Sequence, residues 1–292
     1  MIKEDLTIVS NDQLSKNTWK LTLEGSAQLI SGIKPGQFIN IRITQRNDPF
    51  FRRPFSVFRC SKKDSGHSSL QVVYEVVGRG SEIMSRLERG DKIDVIGPLG
   101  NGFAWARNKK THVVIGGGIG SAGIFMLCEE LSEATNIDGT ELYMILDVKT
   151  KNLLILEEEF NALNGNVLIA THDGSFGYNG YVTDMIRNYI ESKRIPADCA
   201  IYACGPEQMY KDLVPVCQQY NISAQISIER NMMCGMGACM SCVCKVNKKN
   251  ILKRRVLEAS HVVIDEEKEF GYALVCRDGP VFYIDEVIFD EN

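Results

Sequence analysis

The run HVVIGGGIGSAG at residues 112–123 decides the architecture of this chain. His112 to Ile115 have the character of a short buried strand, and they lead at once into a glycine turn. The turn opens a segment with Ile124, Phe125 and Leu127 at helical spacing. A strand, a glycine turn and a helix in that order set a helix N-terminus against an anionic ligand, as nucleotide-binding turns do. Alone the glycine run is weak evidence; this context gives it weight. Gly116, Gly117, Gly118 and Gly120 are therefore candidate nucleotide contacts.

Working downstream, strand candidates follow at 142–148, 167–171 and 200–204, with helical segments near 153–163 and 182–191. That alternation predicts a doubly wound parallel α/β domain over residues 106–228. Asp147 falls near the carboxyl end of the second strand, where an acid bonds adenine-ribose hydroxyls and repels a 2′-phosphate, favouring NAD over NADP. Lys149 and Lys151 argue the other way and read more simply as solvated lysines. CGPEQM at 204–209 follows a strand end and opens a helix, which puts Cys204 and Gly205 where a nicotinamide ring would lie. His172, in the turn THDGS at 171–175, reads as an exposed turn histidine with no catalytic role. No nucleophilic triad stands out, and no catalytic residue is assigned.

Upstream, residues 6–10, 18–23, 38–43 and 70–77 alternate or cluster apolar and β-branched residues between turn signals. They predict a small antiparallel β-barrel over residues 1–105. Within it RRPFS at 52–56 offers a guanidinium for a pyrophosphate, a proline that fixes the backbone, and a hydroxyl for a flavin ring edge. YEVVGRGS at 74–81 runs a strand into a glycine turn able to present N–H groups to phosphate. It also reads as a plain turn with Ser81 capping a helix near 82–87. GPLGNGF at 97–103 closes the barrel as a glycine-rich loop, either a simple turn or a cofactor contact.

Downstream of the α/β region lies CGMGACMSC at 234–242. Its C-x4-C-x2-C spacing is the plant-type [2Fe–2S] pattern once a distant fourth cysteine is added, and Cys276 is the candidate. Gly235, Gly237 and Ala238 let the backbone wrap close, so that N–H groups can face the sulfurs. Zinc is the competing occupant, although its sites usually pair ligands as two short knuckles. Cys244 reads as a buried strand thiol. The basic run at 248–255 and the acidic run at 265–269 read as solvated loop or hairpin faces, with a partner interface as the sharper hypothesis. A small [2Fe–2S] module over 229–292 completes a multi-domain α/β plus β chain.

The whole chain has 292 residues, a net charge of −4 and 44% hydrophobic residues, which allows several domains and leaves no electrostatic footprint for nucleic acid. Residues 111–128 carry no charged side chain, but five are glycine, so a buried strand and turn explain them better than a membrane span. The N-terminus lacks a signal-peptide layout, which points to reduced thiols in a cytoplasmic setting.

Together RPFS, VGRGS, GPLGNGF, GGGIG, CGPEQM, CGMGACMSC and CRDGPVF make the chain resemble, over essentially its full length, the electron-transfer subunits of type B dihydroorotate dehydrogenase in the ferredoxin reductase superfamily. The resemblance implies FAD held by Arg53, Pro54, Phe55 and Ser56, by Tyr74, Glu75 and Val76, and by Gly80 and Ser81. It implies a [2Fe–2S] cluster on Cys234, Cys239, Cys242 and Cys276, with NAD as a diffusible co-substrate. It further implies an FMN-containing catalytic partner in a heterotetramer of two of each subunit, serving pyrimidine biosynthesis. Two features depart from the family pattern: an insertion in the 34-residue step from Cys242 to Cys276, and Ser-Ala-Gly after GGGIG. The alternatives are the small subunit of a flavin-based NAD(P)H:ferredoxin or sulfide oxidoreductase, against which Cys234 argues, and a zinc-stabilised nucleotide-binding regulator.

Overall fold

The computed structural model of the chain describes residues 1–44, 48–62, 67–254, 262–264 and 267–289. Its first sheet comprises β1 (Ile2–Gln13), β2 (Thr18–Ser26), β3 (Phe38–Arg42), β4 (Arg53–Ser56), β5 (Arg59–Lys62), β6 (His67–Glu75) and β7 (Lys92–Leu99). These are antiparallel neighbours in the order β4-β3-β7-β1-β2-β6-β5. The two edge strands, β4 and β5, are separated by only Val57 and Phe58, so the sheet must curl until its edges meet. Alternate residues fill the barrel: Leu6 and Ile8 of β1 and Leu21 and Leu23 of β2 are fully buried. A short helix, α1 (Ala27–Ile30), plugs one end with Leu29 and Ile30.

Two local expectations change here. The helix after the glycine turn, α2, runs Arg79–Met84, and its N-cap is Gly78. Ser81 is the third helical residue, and its hydroxyl reaches back to accept the Val77 and Gly78 N–H groups at 3.0 and 3.2 Å. Of GPLGNGF, residues up to Leu99 belong to β7, and the turn begins at Gly100.

The second sheet is built from β8 (Thr111–Gly117), β9 (Glu141–Val148), β10 (Asn166–Thr171), β11 (Tyr178–Asn179), β12 (Cys199–Cys204) and β13 (Ser223–Ser227), all parallel. The order is β11-β10-β9-β8-β12-β13, so the chain reverses its direction of travel between β8 and β12. Crevices at the carboxyl ends of such a reversal are where open α/β sheets bind ligands. Every residue of β8 is buried, as a central strand covered on both faces requires. Connections run through α3 (Gly120–Asp138), α4 (Glu157–Asn161), α5 (Val182–Glu191) and α6 (Glu207–Tyr220). The helix expected over 153–163 is divided into a 3-10 turn at Lys151–Leu153 and α4, because Leu156 takes a left-handed φ of 63° between them. No helix among the described residues is long and apolar enough to cross a membrane; the uncharged stretch 111–128 forms β8 and the start of α3.

The C-terminal segment forms β14 (Val243–Asn247), α7 (Lys248–Arg254), β15 (Val263–Ile264), β16 (Phe270–Leu274) and β17 (Val281–Tyr283). Strands β14, β16 and β15 make a small antiparallel sheet, whereas β17 pairs antiparallel with β13 and extends the nucleotide-binding sheet. The basic run is helical, in place of the loop or hairpin face expected. Ile251 buries as its apolar anchor, Asn247 Oδ1 accepts the Asn250 N–H, and Arg254 pairs with Asp285 at 2.7 Å. Arg255 of that run, and Asp265 and Glu266 of the acidic one, lie outside the described residues.

Candidate cofactor site

Arg52 and Arg53 are adjacent but differently placed. Arg52 Nη2 lies 2.7 Å from Asp94 Oδ2, and its other nitrogen donates to Asp94 O at 3.0 Å, which ties β4 to β7. Among the described residues Arg53 donates to the carbonyls of Phe51 and Arg52, and it lies against Gly80, where an added Cβ would stand 3.3 Å from its Nε. No carboxylate among the described residues pairs with Arg53, so its guanidinium remains available to an anion beside the turn that opens α2.

Pro54, Phe55, Ser56, Tyr74 and Glu75 line a cavity of about 320 Å3 whose far wall is Gly120, Gly123, Cys204 and Glu229. Arg53, Val76, Gly80 and Ser81 do not line it. Tyr74 is buried with its hydroxyl donating to Asn11 Oδ1 at 3.1 Å, and burial pushes its phenol up. The ring is thus held in its neutral form. Across the cavity, a Cβ on Gly123 would meet Cys204 Sγ at 2.9 Å and Ser56 Oγ at 3.6 Å, so the barrel and the α/β sheet touch through a glycine. Burial pushes the Cys204 thiol up to about 12, which makes it a neutral, polarisable wall and not a thiolate.

A second cavity of about 400 Å3 is lined by Gly117, Gly118, Gly120, Asp147 and Gly205, with His172 at its side. Gly116 stands behind the turn, against Ser121. Gly118 has a φ of +55°, and a Cβ on Gly120 would lie 2.3 Å from Cys204 O, so the turn needs glycine at both places. Asp147 is buried with both oxygens engaged: Oδ1 accepts the Val182 N–H at 3.2 Å and Oδ2 lies 3.1 Å from His172 Nε2. Desolvation raises its pKa, opposed by the His172 hydrogen bond. His172 is therefore a partner of Asp147, not the solvent-facing histidine expected. Glu75, Ile119, Gly120 and Glu229 line both cavities, so the two share a wall.

The segment Ile228–Met232 leaves this wall and enters the cysteine loop. There the N–H groups of Met236, Ala238 and Cys239 point at Cys234 Sγ at 3.5, 3.3 and 3.4 Å. The Cys276 N–H points at Cys242 Sγ at 3.4 Å, and Gly237 donates toward Cys276. The thiols fall into two pairs, Cys234 with Cys239 and Cys242 with Cys276; among the described residues no three close on one point as a single ion would need. A hydrogen bond from Ser241 draws Cys239 down to about 6, and one from Cys276 draws Cys242 to about 6 while Cys276 moves up. Four thiols paired in this way, with main-chain N–H groups aimed at sulfur, fit an iron–sulfur cluster that takes two cysteines per iron. Cys244 is buried on β14, facing away from solvent.

Glu229 and Asn40 were not singled out from the sequence. Glu229 follows β13 and lines both cavities, with its side chain open to them; partial desolvation by the cavity walls, together with the nearby charge of Glu75, raises its pKa. Its position just past the carboxyl end of a parallel strand was the available signal. Asn40 reaches the cysteine loop from β3, a contact between residues 194 apart that no local pattern announces.

Three family descriptions match in succession. An oxidoreductase FAD-binding domain matches residues 5–103, an oxidoreductase NAD-binding domain 114–214, and the iron–sulfur cluster binding domain of dihydroorotate dehydrogenase B 229–256. The dihydroorotate dehydrogenase B (NAD+) electron transfer subunit of Fusobacterium nucleatum is 34% identical over 287 residues, covering 97% of this chain and 98% of that one. That of Caldanaerobacter subterraneus is 33% identical over 282 residues, covering 97% of each. Among solved structures, an NADH-dependent reduced ferredoxin-NADP oxidoreductase studied for flavin-based electron bifurcation aligns with a TM-score of 0.76 at 26% identity, over 97% of this chain and 89% of that one. The cytochrome b5 reductase domain of Ulva prolifera nitrate reductase aligns at 0.60 with 16% identity, over 76% and 94%, and shares the fold. A barrel with a cavity against its edge strand, a nucleotide turn sharing its wall and a paired-thiol loop therefore come together in one known lineage: the chain belongs to the family of dihydroorotate dehydrogenase B (NAD+) electron transfer subunits.

Proposed function

We propose that the chain carries electrons from an FMN-containing dihydroorotate dehydrogenase subunit through a [2Fe–2S] cluster and FAD to NAD+, in pyrimidine biosynthesis. The observation that carries this reading is the shared wall: one cavity faces the barrel, its neighbour faces the nucleotide turn, and the strand end between them continues into the cysteine loop. Flavin exchanges electron pairs with nicotinamide and single electrons with an iron–sulfur cluster, so a chain holding both converts one currency into the other.

The residues divide the work. Arg53 with Gly80 and Ser81 takes the flavin pyrophosphate, while Pro54, Phe55, Ser56, Tyr74 and Glu75 seat the flavin itself and Val76, next along the chain from Glu75, carries the backbone from that cavity toward Gly80. Gly116, Gly117, Gly118 and Gly120 bring the dinucleotide phosphates to the start of α3, and Asp147, oriented by His172, faces the adenine ribose. Cys204 and Gly205 pack where the nicotinamide meets the flavin. Cys234, Cys239, Cys242 and Cys276 hold the cluster. The units divide at residues 1–105, 106–228 and 229–292.

Met233, Met236, Met240 and Val243 are exposed around the cysteine loop. Adaptable apolar side chains ringing a redox centre suit a docking face, here for the catalytic subunit, in a heterotetramer of two of each. No disulfide links any of the ten cysteines among the described residues, which suits a reducing cytoplasm. A second reading, the small subunit of an NAD(P)H:ferredoxin oxidoreductase, is favoured by the 0.76 alignment, but the relatives matching at 34% identity favour the first.

Anaerobic purification tests the proposal. A brown protein with one flavin and about two irons per chain, bleached by NADH and co-purifying with the catalytic subunit, is the expected result. A colourless zinc protein would overturn it.

A further inference from the structure

Asn40 sits in the middle of β3 with 1% of its surface exposed, and its Nδ2 donates to Cys234 O at 2.9 Å. Its own strand is fixed from both sides: Asn40 stands opposite Pro54 of β4 and Ile96 of β7, and its carbonyl accepts from Arg52 Nη1 at 3.3 Å. Arg52 is in turn locked to Asp94. The donor is therefore mounted on rigid scaffold. Its acceptor lies in an irregular loop in which Gly235, Gly237 and Met240 all take positive φ. Gly235 passes so close that a Cβ there would lie 2.5 Å from Asn40 Nδ2.

A backbone carbonyl only accepts, so the Cys234 oxygen dictates which end of the Asn40 amide faces it. The other end, Oδ1, is buried without a partner among the described residues. The amide thus makes one side-chain bond, and it makes it to the first thiol residue of the loop. The residue whose carbonyl is held in this way also supplies the sulfur on which the loop's donors converge: the N–H groups of Met236, Ala238 and Cys239 point at Cys234 Sγ. N–H donors aimed at sulfur stabilise the extra electron of a reduced cluster and raise its potential.

We infer that Asn40 is a positioning residue for the iron–sulfur loop: by holding the Cys234 carbonyl it fixes the N–H to sulfur bonds and so helps set the potential of the cluster. Phe38, two residues along the same face of β3, lines the flavin cavity, so one strand shapes both redox sites. The inference rests on the cluster assignment proposed above.

The test is a redox titration of the cluster, followed by electron paramagnetic resonance, in the full-length protein with flavin and iron bound. N40L keeps the branching and heavy-atom count of the side chain, with somewhat more bulk, and removes the donor. The expected result is unchanged flavin and iron content with a lower midpoint potential. The reduced-to-oxidised ratio at a given potential should fall by up to about tenfold, equivalent to about 59 mV for a one-electron couple. G235A reaches the same bond from the loop side, through its added methyl, and is expected to lower the potential too; it carries the test if N40L does not fold. An unchanged potential in a variant with intact flavin and iron would overturn the inference. Wild-type protein that shows no reducible cluster signal would instead overturn the cluster assignment.

Discussion

Arg52 and Asp94 form a largely buried ion pair, 2.7 Å apart, that ties the residue before β4 to β7, while the next residue, Arg53, has no acidic partner among the described residues. Neighbouring arginines in one motif therefore have separable consequences. R52A leaves the buried Asp94 with only the exposed Lys3, 3.5 Å from its Oδ2, as a counter-charge, and should cost up to about 3 kcal/mol of stability, the lower end of the scale for breaking a buried pair. R53A should fold normally and lose flavin on gel filtration. Denaturant midpoints and bound-flavin absorbance distinguish the two; equal loss of flavin at equal stability would remove the proposed role of Arg53.

Gly120 supplies a second prediction. A methyl group there would stand 2.3 Å from the carbonyl oxygen of Cys204, which is backbone and cannot swing aside. G120A should destabilise the α/β domain by about 1–3 kcal/mol through overpacking. It should also weaken NAD+ binding, since relief requires β12 and the turn to part. Calorimetry of NAD+ binding to the oxidised protein measures this directly. Unaltered affinity would separate the turn from the nucleotide.

The parts of this structure that were legible in the sequence are those where local pattern and tertiary role coincide. Residues 112–123 read correctly because an apolar run, a glycine turn and a helical repeat are all contiguous, and the observed β8 and α3 follow them. Ser81 did not, because the same serine can cap a helix from outside or reach back from its third residue, and the choice depends on the extended Gly78 before it. The basic run hid α7 because its helical evidence is a single buried residue, Ile251, beneath lysines that look solvated. Asn40, His172 and Glu229 act through partners in other elements, which no spacing along the chain encodes.

Glu229 gives a pH-dependent prediction. Desolvation by the cavity walls, reinforced by Glu75, raises its carboxyl pKa above the ordinary 4.5. The native state then binds the proton more tightly than the unfolded state, so this group lowers stability as pH rises through the ordinary value toward the raised one. Because the side chain is open to water, which screens the effect, E229Q should melt only slightly higher than wild type at neutral pH, with the difference vanishing in acid below the ordinary carboxylate range. Thermal scans of the flavin-free and flavin-bound protein across pH check the sign. A variant less stable at neutral pH would mean that Glu229 makes a stabilising contact instead.

The two cysteines nearest the end of the cluster loop's reach should behave oppositely. Cys276 is buried beside Cys242, donates its N–H to the Cys242 sulfur and receives a main-chain donor from Gly237, so its sulfur belongs to the paired-thiol set. Cys244 is only two residues beyond Cys242, but it sits within β14, where successive side chains alternate faces and Cys244 packs into the core formed with Ala273 and Val246. C276S should lose iron and sulfide on purification, because a serine hydroxyl is a far weaker acid than a thiol and a harder, poorer ligand for cluster iron. C244A should retain both at a cost of about 1 kcal/mol in stability, the scale of a small buried truncation. Iron and acid-labile sulfide assays decide between them. Retention of iron in C276S with loss in C244A would move the fourth ligand to β14, and the separation of the thiols into two facing pairs would then have to be redrawn.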